Sequence, residues 1–161
     1  MISFVRVDNR LIHGQVVEAW LPQLKVARVV VADNEAAESP LIRAAMGLAV
    51  EGTFEVIIDT MEHVNFTSLA EDAVKTLVLF RDLEQVMAAK SRGLPLSRLN
   101  LGNVHYATGR RQVSPSVFLS PAEMEELEKL SGDGTEVEAR GVPTDRPAGM
   151  AELRERFGRG T

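Results

Sequence analysis

The chain has 161 residues, 45% of them hydrophobic, enough for one domain with a sizeable core and short for two. Its net charge of -5 leaves no overall basic face, which argues against nucleic acid as a partner, a local patch excepted. With no cysteine, disulfides, thiolate nucleophiles and thiolate metal sites are excluded, so any covalent chemistry falls to His, Asp, Ser or Lys.

In chain order, Ile2 to Val7 reads as a strand, followed by a polar loop and an amphipathic helix through Leu21. Val16, Val17, Trp20, Leu21 and Leu24 fall at helical spacings and form its buried stripe. Arg28 to Asp33 is a second strand, with the near-continuous apolar run of a strand covered on both faces. Ala36 to Val50 follows as a helix with Leu41, Ile42, Ala45, Met46 and Ala49 on one side, unless Ser39-Pro40 forms its cap and first turn. The alternation continues with a strand from Thr53 to Asp59, a helix from Met61 to Ala70 that carries His63 as an exposed residue, and a strand from Lys75 to Phe80. A helix from Asp82 to Ser91, ending near Gly93, and a short strand from Ser97 to Gly102 come next.

After Gly102 the pattern changes. Asn103 to Val113 reads as a loop or short hairpin, and Ser116 to Leu119 as another strand. Ser120, Pro121 and Glu123 have the form of a capping box, opening a helix that stops at Gly132 before a last strand, Thr135 to Val142. From Pro143 on, Pro, Gly and charge dominate, with Leu153 and Phe157 the only large apolar residues after Met150. Residues 1–143 are therefore read as the domain and 144–161 as a charged tail with at most one loose helix, either disordered or an interaction segment. The whole predicts an α/β fold: an open, mainly parallel twisted sheet of about six to seven strands, helices on both faces, and an active-site loop after the first strand.

No apolar run reaches about 18 residues, and the amino terminus lacks the basic-then-apolar pattern of a signal peptide. Both point to a cytoplasmic protein, free to associate with the inner face of a membrane through its partners.

In open parallel sheets, ligands bind at the carboxyl ends of the strands. The polar groups fall there: Asp8 to His13 after the first strand, Asp33 and Asn34 after the second, Asp59 after the third, Asn103 and His105 after the fifth. The first group is the densest. A neutral imidazole is a good nucleophile toward phosphorus, and a phosphorylated one keeps a high transfer potential. His13 lies where loop becomes helix, so the amides of Gly14, Gln15 and Val16 are available to an anion, and Gly14 has no side chain to block the approach. Arg10 offers a fork of donors to phosphoryl oxygens and Gln15 a neutral one. Asp8 either accepts from the ring or holds Arg10. The plainer reading makes His13 a capping or surface residue, Asp8 and Asn9 turn residues, and Arg10 a surface ion pair. His105 either lines the same edge and orients a group near His13 or is satisfied within its own loop. Arg6 needs a partner, either Asp8 or a carboxylate on a neighbouring strand. Arg110 and Arg111 form either a docking patch or a solvated turn. His13, His63 and His105 show no metal-ligand spacing.

At VRVDNRLIHGQVVEAW the sequence resembles the active-site loop of the enzyme IIB component of the mannose/fructose/sorbose family of the bacterial phosphoenolpyruvate:sugar phosphotransferase system. The likeness continues through VVVADNEAAES and LNLGNVHYATGRRQVSPSVFLS to TEVEARGVP, about 140 residues in register. The resemblance implies that His13 takes a phosphoryl group on Nδ1 from a IIA component and passes it to a sugar held by the membrane components IIC and IID. That activity is a protein-Nπ-phosphohistidine–sugar phosphotransferase. It further implies that Arg10 binds the phosphate, that Asp8 and Gln15 match other loop positions, and that no metal or other cofactor is required. Whether the chain forms a homo-oligomer is left open. The charged segment after Pro143 and the Ser39-Pro40 break depart from the family pattern. A receiver-type signalling domain would share the topology, but the Lys and the Ser or Thr it needs after its later strands are missing from LNLGN and LFRD. GxGxxG and GxxxxGK[ST] loops are absent as well. The rival within the fold is a phosphorylatable regulatory module that never delivers phosphate to sugar.

Overall fold

Strand β1 (Ile2–Asp8) is buried from Phe4 onward. Its neighbours are β4 (Thr76–Phe80) and β5 (Arg98–Asn103), and with β2 (Arg28–Ala32), β3 (Glu55–Asp59), β8 (Glu136–Ala139) and β9 (Ala148–Gly149) it forms a seven-stranded sheet of order β3-β2-β4-β1-β5-β8-β9. All pairings are parallel except β8 with β9. The computed structural model describes residues 1–50, 52 and 54–160; the Thr53 start expected for the third strand lies outside them.

The pleat sends alternate residues to opposite faces, which is why the central strands are apolar throughout. Phe4, Val29, Val31, Leu77 and Leu79 pack on one face with Trp20, Leu21 and Met46. Val5, Val7, Val30, Val78, Phe80, Leu99 and Leu101 pack on the other with Phe66, Val86, Leu127 and Leu153. The open, mainly parallel sheet covered by helices on both faces matches the expectation from the alternation of elements.

Local departures have identifiable causes. The first helix is not a regular α-helix: a π-helical turn, Val16–Trp20, leads into α1 (Leu21–Leu24). Pro22 has no N–H and its ring crowds the carbonyl of Glu18, so the wider turn takes up the fault just before it, the Leu21 amide reaching back to the Val16 carbonyl. The helix expected over Ala36 to Val50 is two, α2 (Asn34–Glu38) and α3 (Pro40–Ala49). Ser39, held extended by the proline after it, breaks them and caps the second by accepting from the Ile42 amide at 3.2 Å. His63 sits in a turn rather than a helix; α4 starts only at Phe66 (Phe66–Glu71), where Asn65 caps it. The helix expected from Asp82 is α5 (Leu83–Ser91), with Asp82 as its cap, accepting from the Gln85 amide. Ser116 to Leu119 does not join the main sheet: β6 (Arg111–Ser114) and β7 (Val117–Leu119) make a separate antiparallel hairpin. The capping box of α6 (Pro121–Gly132) is present in both directions, Glu123 amide to Ser120 Oγ at 3.1 Å and Ser120 amide to Glu123 Oε2 at 2.7 Å.

The segment read as a charged tail is folded. β9 pairs with β8, and α7 (Met150–Arg159) buries Leu153 completely while Arg154 bridges to Glu128 of α6 at 2.6 Å. A single apolar stripe under a shell of paired charge is enough to dock it.

Candidate active site

β1 connects across β4 to β2, while β5 continues outward to β8. The two adjacent strands thus part company at their carboxyl ends, the position at which open α/β sheets leave a crevice. The loop from Asp8 to His13 fills that opening. The Asn9 amide donates to the Asn103 carbonyl at 3.0 Å, tying the loop to the end of β5, and the Leu11 amide donates to the Asp8 carbonyl at 2.9 Å. Leu11 takes a left-handed backbone, φ 58°, which a leucine adopts rarely, and full burial of its side chain holds it there. The Val17 amide bonds to the His13 carbonyl at 3.1 Å, so the amides of Gly14, Gln15 and Val16 precede the first helical bond.

His13 Nε2 lies 2.8 Å from Asp8 Oδ2. An ionised carboxylate only accepts, so in the neutral ring this contact calls for the proton on Nε2, the tautomer that leaves Nδ1 its lone pair. Burial opposes the charge on Asp8. The hydrogen bond from His13, the nearby Arg6 guanidinium and the Arg10 amide outweigh that cost and hold its carboxyl below the ordinary range. Of the alternatives left open for Asp8, the structure realises the bond to the ring; Arg10 is held through its backbone N–H, 3.0 Å from Oδ1, with its Nε at 3.9 Å. The Arg10 side chain reaches Gln15 Oε1 at 3.1 Å across the mouth of the loop. Beyond the loop's own backbone and its immediate neighbours, nothing lies within 4 Å of where a side chain at Gly14 would begin.

Asp8, Arg10, His13, Gly14 and Gln15 are therefore assembled at one place. Asn9, whose buried Oδ1 has no hydrogen-bond partner among the described residues, lines a cavity of about 400 Å³ together with His105. No hydrogen bond joins the His105 ring to His13 among the described residues. The other polar strand ends support local structure. Asp33 caps α2 and receives both Arg81 and Gln85; burial opposes its charge, and these bonds still keep its carboxyl below the ordinary range. Asp59 takes the Thr60 amide at 2.8 Å and faces His63 at 3.3 Å. Arg110 is bound to Glu123 at 2.6 Å, and the Arg111 guanidinium stacks 4.8 Å above Phe157, so both are pinned to the fold.

What the sequence alone does not reveal is the layer behind the loop. Arg6 is fully buried and donates to Asp8 Oδ2 at 2.9 Å, so the partner sought for it is Asp8. It also reaches Asn100, Arg140 and Gly141, and Trp20 lies over it with 5.1 Å between Cζ and the ring centre. The available signal is a lone polar residue between aliphatics in each of three strands: VRV, LNL and VEA.

Fold and site together define a parallel α/β protein built around one histidine, held through Nε2 by a buried carboxylate at the sheet's switch point. The family model described as PTS system sorbose subfamily IIB component matches residues 2–158. The chain belongs to that family: it is a IIB component of a sugar phosphotransferase system. The N-acetylgalactosamine-specific phosphotransferase enzyme IIB component 2 of Escherichia coli (strain K12) is 31% identical over 94% of this chain and 98% of its own length. The mannose-specific EIIAB component of the same organism is 27% identical over 95% of this chain, which spans 48% of that longer protein. Among solved structures, manxB from Thermoanaerobacter tengcongensis superimposes with a TM-score of 0.85 at 26% identity, covering 98% of this chain and 96% of that one. No helix among the described residues is long and apolar enough to cross a membrane.

Proposed function

We propose that His13 is the phosphoryl acceptor, taking the group on Nδ1 from a IIA component and passing it to a sugar held by membrane components IIC and IID. The observation that carries this is the 2.8 Å contact between His13 Nε2 and Asp8, which leaves Nδ1 as the free nucleophile. The Nδ1 lone pair attacks phosphorus and the new N–P bond forms. The donor's P–N bond breaks, its electron pair returning to the donor ring. Positive charge then develops on the His13 imidazole, and the Asp8 carboxylate bound to Nε2–H stabilises it. Arg10, Gln15 and the amides after His13 would meet the phosphoryl oxygens. A IIA donor is supported by the mannose-specific relative being an EIIAB component. Relatives named for N-acetylgalactosamine, mannose, sorbose and fructose each match over at least 94% of this chain, as suits a carrier that handles the phosphoryl group alone.

The test is intact mass after incubation with phosphoenolpyruvate, enzyme I, HPr and IIA proteins of the same genome. One acid-labile phosphoryl group on the wild type and none on His13→Ala is the expected result. A folded wild type that gains no phosphate from any of them refutes the proposal.

A further inference from the structure

The polar residues of VRV, LNL and VEA are brought side by side by the sheet: Arg6 is in register with Asn100, and Asn100 with Glu138. All three are buried. Such a row is costly unless fully paired, and an apolar row of the same volume is often at least as stable, so it calls for a use beyond holding the sheet together. Its pairing runs in one direction. Asn100 Nδ2 donates to Glu138 Oε1 at 3.1 Å, which turns the amide oxygen toward Arg6, and Arg6 Nη1 donates to that oxygen at 2.7 Å. Arg6 Nη2 then donates to Asp8 Oδ2 at 2.9 Å and to the Gly141 carbonyl at 3.0 Å. Asp8 Oδ2 is the same oxygen that meets His13 Nε2.

We propose that Arg6, oriented by Asn100 and Glu138, is a positioning residue for phosphoryl transfer that acts on His13 only through Asp8. The inference rests on His13 being the acceptor. With a fixed cation on one side, the Asp8 carboxylate can only accept the ring N–H on the other, and Nδ1 stays free. Without Arg6, a buried Asp8 takes up a proton more readily. Protonated, it donates to Nε2, and the remaining ring proton then occupies Nδ1 and blocks the attack.

The experiment reads two quantities on the full chain. One is the tautomer of the neutral His13 ring, by nitrogen NMR with isotope-labelled histidine, the signal assigned by its loss in His13→Ala. The other is the initial rate of phosphorylation through enzyme I, HPr and a IIA protein. In the wild type the ring is expected to carry its proton on Nε2. In Arg6→Gln the proton shifts toward Nδ1 and the rate falls by about 10- to 100-fold, the range found when a metal-ligating histidine loses its outer partner. Arg6→Lys, which keeps the charge, recovers part of both. An Arg6→Gln protein with the wild-type tautomer and rate overturns the proposal. So does a wild-type ring protonated on Nδ1, a result that needs no variant to fold. A wild type that takes no phosphate refutes the function of His13 instead, and leaves the tautomer comparison readable by itself.

Discussion

Replacing Gly102 by alanine adds one carbon to the protein, and that carbon overlaps the Arg6 guanidinium, both terminal nitrogens included. The far end of a long side chain can usually step aside, but this one is held by Asn100, Arg140, Asp8 and Gly141 and is covered by Trp20. Moving it breaks a buried ion pair without removing either charge, which costs about 3–5 kcal/mol out of a total stability of about 5–15 kcal/mol. For a chain of this size the melting temperature should fall by roughly 6–20 °C. Urea unfolding followed by circular dichroism measures the loss directly. A double-mutant cycle isolates its cause: in an Arg6→Met background the guanidinium is gone, and the cost of Gly102→Ala should shrink to about 1 kcal/mol or less. A single mutant destabilised by less than about 1 kcal/mol, or a cost unchanged by Arg6→Met, would refute the reasoning, because the clash would then not be with a fixed cation.

Asp8→Asn removes a charge whose two oxygens both accept, and should cost about 3 kcal/mol in stability together with about 100-fold or more in phosphorylation rate; a near-normal rate would contradict the role given to Asp8. Leu153→Ala empties a fully buried site under α7 and should destabilise the whole protein by about 2–5 kcal/mol in a single cooperative transition, whereas a local loss of helix with an unchanged midpoint would return the last segment to the status of a tail. Asp8 and Asp33 are both held below their ordinary value of 3.8, so each adds stability that is fully present above that value and lost as pH falls below it through the folded-state value. Stability measured at about pH 7 and about pH 3 should therefore differ less in Asp33→Asn than in the wild type, and parallel losses in the two proteins would contradict this.

Features settled within a few residues are legible in the amino-acid sequence itself. The alternation of strands and helices, the capping box at Ser120 and the assembly of Asp8, Arg10, His13, Gly14 and Gln15 are all local in sequence, and the fold keeps them together. The break at Ser39 is half legible, since a serine before a proline both caps a helix and interrupts one. The helical spacing of Val16 to Leu24 hides both the fault at Pro22 and the π-helical turn that absorbs it. What stays hidden depends on distant pairing: Arg6 bonds to a side chain 94 residues away and to a carbonyl 134 residues away. The last segment misleads for a different reason. Its apolar content is too small to suggest a core element, yet Ala148 and Leu153, with Met150 and Phe157 packed beside them, join the core once α6 and β8 are there to receive them.

Trp20 is the only tryptophan in the chain, and two guanidinium groups, Arg6 and Arg140, lie against it, each 5.1 Å from its ring centre. Its indole N–H donates to the Gly141 carbonyl at 2.8 Å, the same oxygen that Arg6 binds. The molecule thus contains a single indole, wired to the cation behind the proposed phosphoryl acceptor, His13. Any redistribution of charge along His13, Asp8 and Arg6 should alter the field across that ring and shift its emission. Loading and unloading of the carrier would then be visible in a stopped-flow trace of the unlabelled protein.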